Sequence, residues 1–141
     1  MPSEYRLQRR VHFYETDAAG IVHFSYFYRY MEEAEHALWR SAGLSIAPPN
    51  ALVGFPRVAA SFDFHRPLQF NDQFEVHIRI AEIGKHSIRY ETTITKDSEI
   101  VATGSLTVAC VTKQADAQLK AALIPTEITE HLTVAVRDTD E

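Results

Sequence analysis

One segment of the chain repeats its apolar residues at helical spacing. From Phe24 to Ala42 these residues recur every three or four positions, which is the pattern of one face of an α-helix. Gly43 follows directly and is a residue type that commonly ends helices. The opposite face carries polar side chains such as Arg29 and Glu33, so it should meet water. We therefore expect one long amphipathic helix whose apolar face packs on another layer.

The remaining patterned segments alternate with a period of two, which is typical of strands. A first strand is predicted over residues 5–14, and a loop rich in turn-forming residues occupies 45–57. Four further strands are then predicted: Val58–His65, Phe74–Ala81, Ser87–Thr95 and Ile100–Val111. The short breaks between them suit hairpins. These patterns predict an α+β fold in which an antiparallel sheet lies against the long helix, with edge strands that a second copy would extend.

The 141 residues fit a single domain over 1–141. Near the end, residues 125–132 predict a short helix, and 137–141 are expected to be a frayed acidic tail. The net charge of -5 and the absence of a basic run longer than Arg9-Arg10 argue against nucleic acid or an anionic membrane as a partner.

The sequence points to a cytoplasmic protein. Its amino terminus lacks the apolar core of a secretion signal, and no apolar stretch is long enough to span a bilayer. Cys110 is the single cysteine, which rules out an intrachain disulfide and fits a reducing compartment. The seven histidines show no metal-ligand spacing, so we expect neither a metal nor a bound cofactor.

The segment ETDAAGIV, from Glu15 to Val22, places a carboxylate just ahead of the long helix. The small residues after Asp17 let a ligand approach the backbone, and Gly20 tolerates conformations that other residues resist. The same composition is also ordinary for a turn, in which Asp17 would only hydrogen-bond to its own backbone. The residues alone therefore leave both a catalytic and a structural interpretation open.

This segment, with the aromatic residues that open the helix and Glu32 inside it, resembles the hotdog-fold thioesterases of the 4-hydroxybenzoyl-CoA thioesterase type. The resemblance spans roughly residues 5–112. It implies an antiparallel sheet wrapped around one long helix, a homodimer or homotetramer, and hydrolysis of an acyl-CoA thioester at a subunit interface. It also implies that Asp17 is the catalytic carboxylate and that the backbone N-H of Phe24 is the oxyanion donor. CoA is then part of the substrate.

The residues expected to contact the substrate are Gly20, His23, Tyr26, Glu32 and Lys85. His23 lies one position before the histidine of the Tol-Pal-associated relatives, so it would bind substrate, orient Asp17 or simply sit at the surface. Lys85 is the first choice for meeting the CoA phosphates.

Other cations and aromatic residues leave alternatives open. Three further arginines in the sheet region could meet the phosphates: Arg57, Arg66 and Arg89. Four aromatic residues of the helix could line an acyl pocket, although aromatic residues at helical spacing are core residues by default: Tyr26, Phe27, Tyr28 and Tyr30. Glu32, Glu33 and Glu35 are expected to form a solvated helix face paired with Arg29, His36 or Arg40, with Glu32 alone kept as a positioning candidate.

Two other functions compete with thioester hydrolysis. A hydratase or dehydratase of the same fold would need a histidine at the reacting position, for which His23 is the nearby candidate. A protein that binds acyl-CoA or an acyl carrier protein without turnover would keep the fold but lose the chemistry. The acyl group itself cannot be derived from the sequence, because pocket depth depends on an interface.

Overall fold

The computed structural model describes residues 1–113 and 119–136 of the chain. Its main sheet has five antiparallel strands in the spatial order β1-β4-β5-β6-β3. These are β1 (Glu4–Arg10), β3 (Arg57–Phe64), β4 (Gln73–Ile83), β5 (Ser87–Lys96) and β6 (Glu99–Ala109). The long helix α1 (Ser25–Ser41) packs on one face of this sheet, which confirms the predicted α+β hotdog architecture.

Smaller elements complete the chain. The strands β2 (Val53–Gly54) and β7 (Val111–Thr112) pair with each other as a second, two-stranded sheet. The short helix α2 covers Thr126–Thr129, so the helix predicted over 125–132 is present but shorter. The predicted frayed tail, 137–141, lies outside the described residues. No helix within 1–113 and 119–136 is long and apolar enough to cross a membrane.

The core lies between α1 and the sheet. The helix buries Phe27, Tyr30, Met31, Leu38 and Trp39, each at most 2% exposed. The facing side of the sheet contributes every second residue of its central strands: Val76, Ile78, Ile80, Ile88, Tyr90 and Ile94. This is the period-two pattern expected for a sheet with one buried face.

Two boundary predictions are wrong. The first strand ends at Arg10 rather than at residue 14: the Val11 N-H still bonds to the Asp72 carbonyl in register, but the chain then turns at a 3₁₀ segment, Phe13–Glu15. The fourth of the later strands ends at Ala109, and Val111 pairs with Gly54 in the second sheet.

The prediction that Glu35 belongs to the solvated helix face is also wrong. Glu35 is 0% exposed and forms an ion pair with Arg57 at the start of β3. Glu35 lies four residues after Met31 and four before Trp39, both of which are buried. Residues four apart share a helix face, so Glu35 is carried into the interior with them.

Candidate active site

Asp17 lies in a tight turn that is closed by its own backbone and side chain. The Asp17 N-H donates to the Ile21 carbonyl at 2.9 Å, and the Asp17 carbonyl accepts from Gly20 at 3.0 Å. The Asp17 Oδ1 accepts the Ala19 N-H at 2.8 Å. No other donor to this carboxylate is found among residues 1–113 and 119–136, so its second oxygen is left for a ligand or water.

Gly20 is required by the geometry of this turn. Its φ is +80°, a left-handed conformation that is strained for residues with a Cβ atom. A Cβ built at Gly20 would meet no atom within 4 Å, so the constraint is conformational rather than steric. The interpretation of the ETDAAG segment as a turn is therefore correct. The turn does not explain why the second carboxylate oxygen of Asp17 has no hydrogen-bond donor within the described residues.

The segment that leads into α1 has one unsatisfied backbone donor. The Val22 N-H bonds to the Leu68 carbonyl and the His23 N-H to the Glu15 carbonyl, at 2.8 and 2.9 Å. The Ser25 N-H reaches the His23 ring at 3.3 Å. Between them, the Phe24 N-H has no acceptor in the described part of the chain. Because it lies at the positive end of the α1 macrodipole, it is suited to stabilise a developing negative charge.

Asp17 and Phe24 line the same cavity, which has a volume of about 550 Å³. Its other walls are largely apolar: Ile21, Val22, Phe27, Phe64, Pro67 and Leu68. His65 and Arg66 complete the lining, and Arg66 forms an ion pair with Glu99 at 3.1 Å. The structure thus brings together the carboxylate and the donor that were predicted from separate parts of the motif.

The contribution of β3 to the aromatic wall of the cavity was not predicted from the sequence, whereas Phe27 was among the candidates for an acyl pocket. Phe27 packs edge-on against Phe64, with ring centroids 5.0 Å apart, and against Phe62 at 5.9 Å. Phe62 lies over Gly104 of the neighbouring strand, where an added Cβ would come within 2.7 Å of the ring. The alternation of Phe62 and Phe64 along β3 was the available signal, but only the packing shows that their face meets the Asp17 loop.

His23 is held at the helix start rather than beside Asp17. Its Nδ1 lies 2.9 Å from Ser25 Oγ and 3.3 Å from the Ser25 backbone nitrogen. The ring also packs on Phe24 at 4.7 Å. His23 does not line the cavity, and its role in binding substrate stays a prediction.

Tyr26 and Glu32 point away from the cavity. Tyr26 packs under the Arg29 guanidinium, 5.5 Å from the ring centroid, and lies beside Tyr14. Glu32 lies eight residues after Phe24, about 12 Å along the helix axis, and pairs with Arg57 at 3.1 Å. Substrate contact by either residue stays a prediction.

Lys85 is far from Asp17 within one chain. It lies in the β4–β5 turn, whereas the cavity borders Leu68, just before the opposite end of β4. β4 has 11 residues and spans about 35 Å at the usual rise per residue. Any contact of Lys85 with a substrate held at Asp17 would therefore come from another copy of the chain. Among residues 1–113 and 119–136, Arg66 is the arginine or lysine that lines the cavity.

A buried polar network lies directly beneath the Asp17 turn. The Glu15 carboxylate is 1% exposed and accepts hydrogen bonds from Arg9, from the Tyr30 hydroxyl and from the His12 N-H. Burial acts to raise the pKa of Glu15, but these donors and the Arg9 charge outweigh it and hold the pKa below its usual range. Burial and the Glu15 charge raise the pKa of Tyr30.

Comparison with known proteins points to one family. Residues 11–132 match the Thioesterase-like superfamily. The crystal structure of a hypothetical protein from Aquifex aeolicus superposes with a TM-score of 0.84 and 32% sequence identity, covering 92% of this chain and 99% of that one.

Two relatives have named substrates. The 1,4-dihydroxy-2-naphthoyl-CoA hydrolase of Synechococcus elongatus is 28% identical over 115 residues, covering 79% of this chain and 85% of the relative. The structure of BH1999, a gentisyl-coenzyme A thioesterase, has a TM-score of 0.79 and 29% identity, covering 88% of this chain and 98% of that one.

Proposed function

This chain belongs to the thioesterase-like superfamily, and we propose that it hydrolyses an acyl-CoA or aroyl-CoA thioester to the free acid and CoA. The observation that carries the proposal is the cavity lined by both Asp17 and Phe24, together with a Phe24 N-H that has no acceptor in the described part of the chain. One supplies the attack on the carbonyl and the other a donor for the resulting oxyanion, which are the two groups that acyl transfer requires.

The reaction follows from this placement. The thioester carbonyl oxygen accepts the Phe24 N-H, which makes the carbonyl carbon more electrophilic. Asp17 then either attacks that carbon or takes a proton from the water that attacks it. The carbon–sulfur bond breaks, and the CoA thiolate leaves and takes up a proton. If Asp17 is the nucleophile, water then attacks the acyl carbon of the mixed anhydride, which releases the acid and restores the Asp17 carboxylate. On either route one water is consumed, and its oxygen ends in the acid.

The cavity favours an aromatic acyl group. Its wall contains Phe24, Phe27 and Phe64, and aromatic rings stack favourably on one another. The two named relatives act on hydroxyaromatic CoA thioesters. We therefore infer that aroyl-CoA is hydrolysed faster than aliphatic acyl-CoA, and that Arg66 contacts a polar or phosphate group of the substrate.

We also propose that the active protein is a homo-oligomer built on the β3 edge. In the described chain, β3 pairs only with β6, and it exposes Val58 at 60% and Phe64 at 47%. Unpaired edges of this kind associate with other strands. Because Phe64 and His65 also line the cavity, a second copy on this edge would complete its wall. Light scattering during gel filtration tests this, and a stable monomer that is fully active would contradict it.

The main test is free-thiol release from benzoyl-CoA, a hydroxylated aroyl-CoA, butyryl-CoA and palmitoyl-CoA. We expect turnover by the wild type and a loss of at least about 100-fold in kcat for Asp17→Asn. Asp97→Asn is the control, since Asp97 lies in the β5–β6 turn and is not among the residues that line the cavity. Normal turnover by Asp17→Asn would contradict the assignment. Enoyl-CoA hydration without thiol release, or tight binding with no turnover, would support the alternatives instead.

The oxyanion donor can be tested by removing the N-H itself. Phe24 has a φ of -54°, which a proline can adopt, and its N-H is not used in the fold. Phe24→Ala keeps the N-H and loses the ring, whereas Phe24→Pro loses both. We expect kcat of the proline variant to fall about 100-fold below that of the alanine variant, with folding checked by circular dichroism. Equal activity of two folded variants would remove Phe24 from the mechanism.

A further inference from the structure

Glu15 joins three of the segments that surround the two proposed catalytic groups: β1, the 3₁₀ segment and α1. Its Oε1 accepts the His12 N-H at 2.8 Å and the Tyr30 hydroxyl at 2.9 Å, which ties the 3₁₀ segment to α1. Its two oxygens also receive Arg9 Nη1 and Nη2 at 2.9 and 2.7 Å, which ties the same segment to β1. Glu15 therefore anchors the chain two residues before Asp17 to both the sheet and the helix.

The backbone of Glu15 reaches the second catalytic group. Its carbonyl accepts the His23 N-H at 2.9 Å, and Phe24 is the next residue. Glu15 is thus connected to Asp17 along the chain through Thr16. It is connected to the Phe24 N-H by the hydrogen bond between its carbonyl and the His23 N-H. A shift of Glu15 would change the distance between the carboxylate and the oxyanion donor.

Arg9 is itself held in place, so the anchor is rigid. The guanidinium donates to Glu33 at 2.8 Å and to the Arg10 carbonyl at 3.0 Å, and lies 4.7 Å above the Tyr30 ring centroid. Its side chain is 14% exposed. Bidentate arginine–carboxylate pairs fix geometry as well as adding energy, since two parallel hydrogen bonds oppose rotation.

Glu15 does not touch the cavity that holds Asp17 and Phe24. It is buried at 1% exposure and its carboxylate accepts from Arg9, Tyr30 and His12. It is therefore placed to act on the reaction only through the residues it positions.

From these contacts we propose that Glu15 is the positioning residue of the active site, setting the geometry between the Asp17 carboxylate and the Phe24 N-H. The proposal rests on the proposed thioesterase function. It predicts that weakening the Glu15 contacts lowers kcat more than it changes KM, because small misplacements of reacting groups reduce the chemical step steeply.

The test compares Glu15→Gln with Glu35→Gln by steady-state kinetics at a temperature where circular dichroism shows both variants folded. Both substitutions remove the charge of a buried, arginine-paired carboxylate. We expect kcat to fall roughly 10- to 100-fold for Glu15→Gln with KM within about 3-fold, and to stay within about 3-fold of wild type for Glu35→Gln. Equal kcat values for the two variants would overturn the proposal.

A double variant separates positioning from general damage. If Glu15 acts through Asp17, then adding Glu15→Gln to Asp17→Asn should lower kcat by much less than it does in the wild type, because residues that act as a unit are non-additive. Fully additive losses would overturn the proposal. The proposed function fails separately, if Asp17→Asn alone retains activity.

Discussion

Two carboxylates, each paired with an arginine of one of the two edge strands of the main sheet, are almost fully shielded from solvent but differ in the groups that surround them. Glu15 is 1% exposed and Glu35 is 0% exposed, and each forms an ion pair with an arginine of a strand, Arg9 in one case and Arg57 in the other. Glu15 also receives a backbone N-H and the Tyr30 hydroxyl. The partner of Glu35 is more open, since the Arg57 side chain is 29% exposed against 14% for Arg9.

The difference appears in the protonation of the two groups. Burial raises the pKa of Glu35, and the charge and hydrogen bonds of Arg57, together with Tyr90 and His36, offset this only in part. For Glu15 burial acts in the same direction, but the donors from Arg9, His12 and Tyr30 prevail and the pKa is lowered. The balance between burial and the surrounding donors and charges therefore decides whether each carboxylate is stable as an anion in this protein.

The largest expected change in the free energy of unfolding comes from replacing the arginine partners of the two carboxylates. Arg9→Met should lower the free energy of unfolding by about 3 to 5 kcal/mol, because it leaves the Glu15 anion buried without its counter-ion. Arg57→Met should cost only about 1 to 2 kcal/mol, since Glu35 can take up a proton instead. Urea unfolding at neutral pH measures both. Equal losses for the two variants would contradict the distinction between the sites.

Removing a single donor should give a smaller loss. Tyr30→Phe deletes the hydroxyl that donates to Glu15, and hydrogen bonds to charged groups contribute about 1.5 to 3 kcal/mol. Tyr28→Phe is the matched control, because Tyr28 is half-buried in the same helix and packs on Phe62 through its ring. We expect a change within about 0.5 kcal/mol for this control. A comparable loss in both variants would indicate ring packing rather than the hydrogen bond.

The smallest expected effect is on how the free energy of unfolding changes with pH. Glu15→Gln and Glu35→Gln should alter this pH dependence in opposite directions relative to wild type. The lowered pKa of Glu15 stabilises the fold above the ordinary glutamate range, and this contribution is lost as pH falls through the folded-state pKa. The raised pKa of Glu35 stabilises the folded state at low pH. This contribution is lost as pH rises from the unfolded-state pKa of Glu35 through its folded-state pKa. Unfolding of wild type, Glu15→Gln and Glu35→Gln from pH 3 to 8 measures the two slopes.

The stability difference between wild type and Glu15→Gln should therefore grow with pH, and that between wild type and Glu35→Gln should shrink. Slopes of the same sign would show that both carboxylates respond to burial alone. The two variants thus test the difference between the surroundings of Glu15 and Glu35 by stability alone, independently of any catalytic activity.

Much of the site was predictable because its parts are local. Asp17, Gly20 and Phe24 lie within eight residues of one another, so a turn followed by a helix start brings them together whatever the rest of the chain does. Where Lys85 and Glu32 lie relative to that turn could not be read from the sequence, because their positions depend on the length of β4 and on how α1 lies over the sheet. For the same reason Arg66 was only one of several candidate cations, and Phe64 was not predicted as a cavity residue.

By itself the sequence determined the α1 face, the alternation of the strands and the Asp17 turn, since each depends on the spacing of neighbouring residues. Only the tertiary structure decided that Arg9 pairs with Glu15, that Arg57 pairs with Glu35, and that the aromatic face of β3 lines the Asp17 cavity. These contacts join residues brought together by strand order and helix position, and periodicity carries no information about which distant charges will meet.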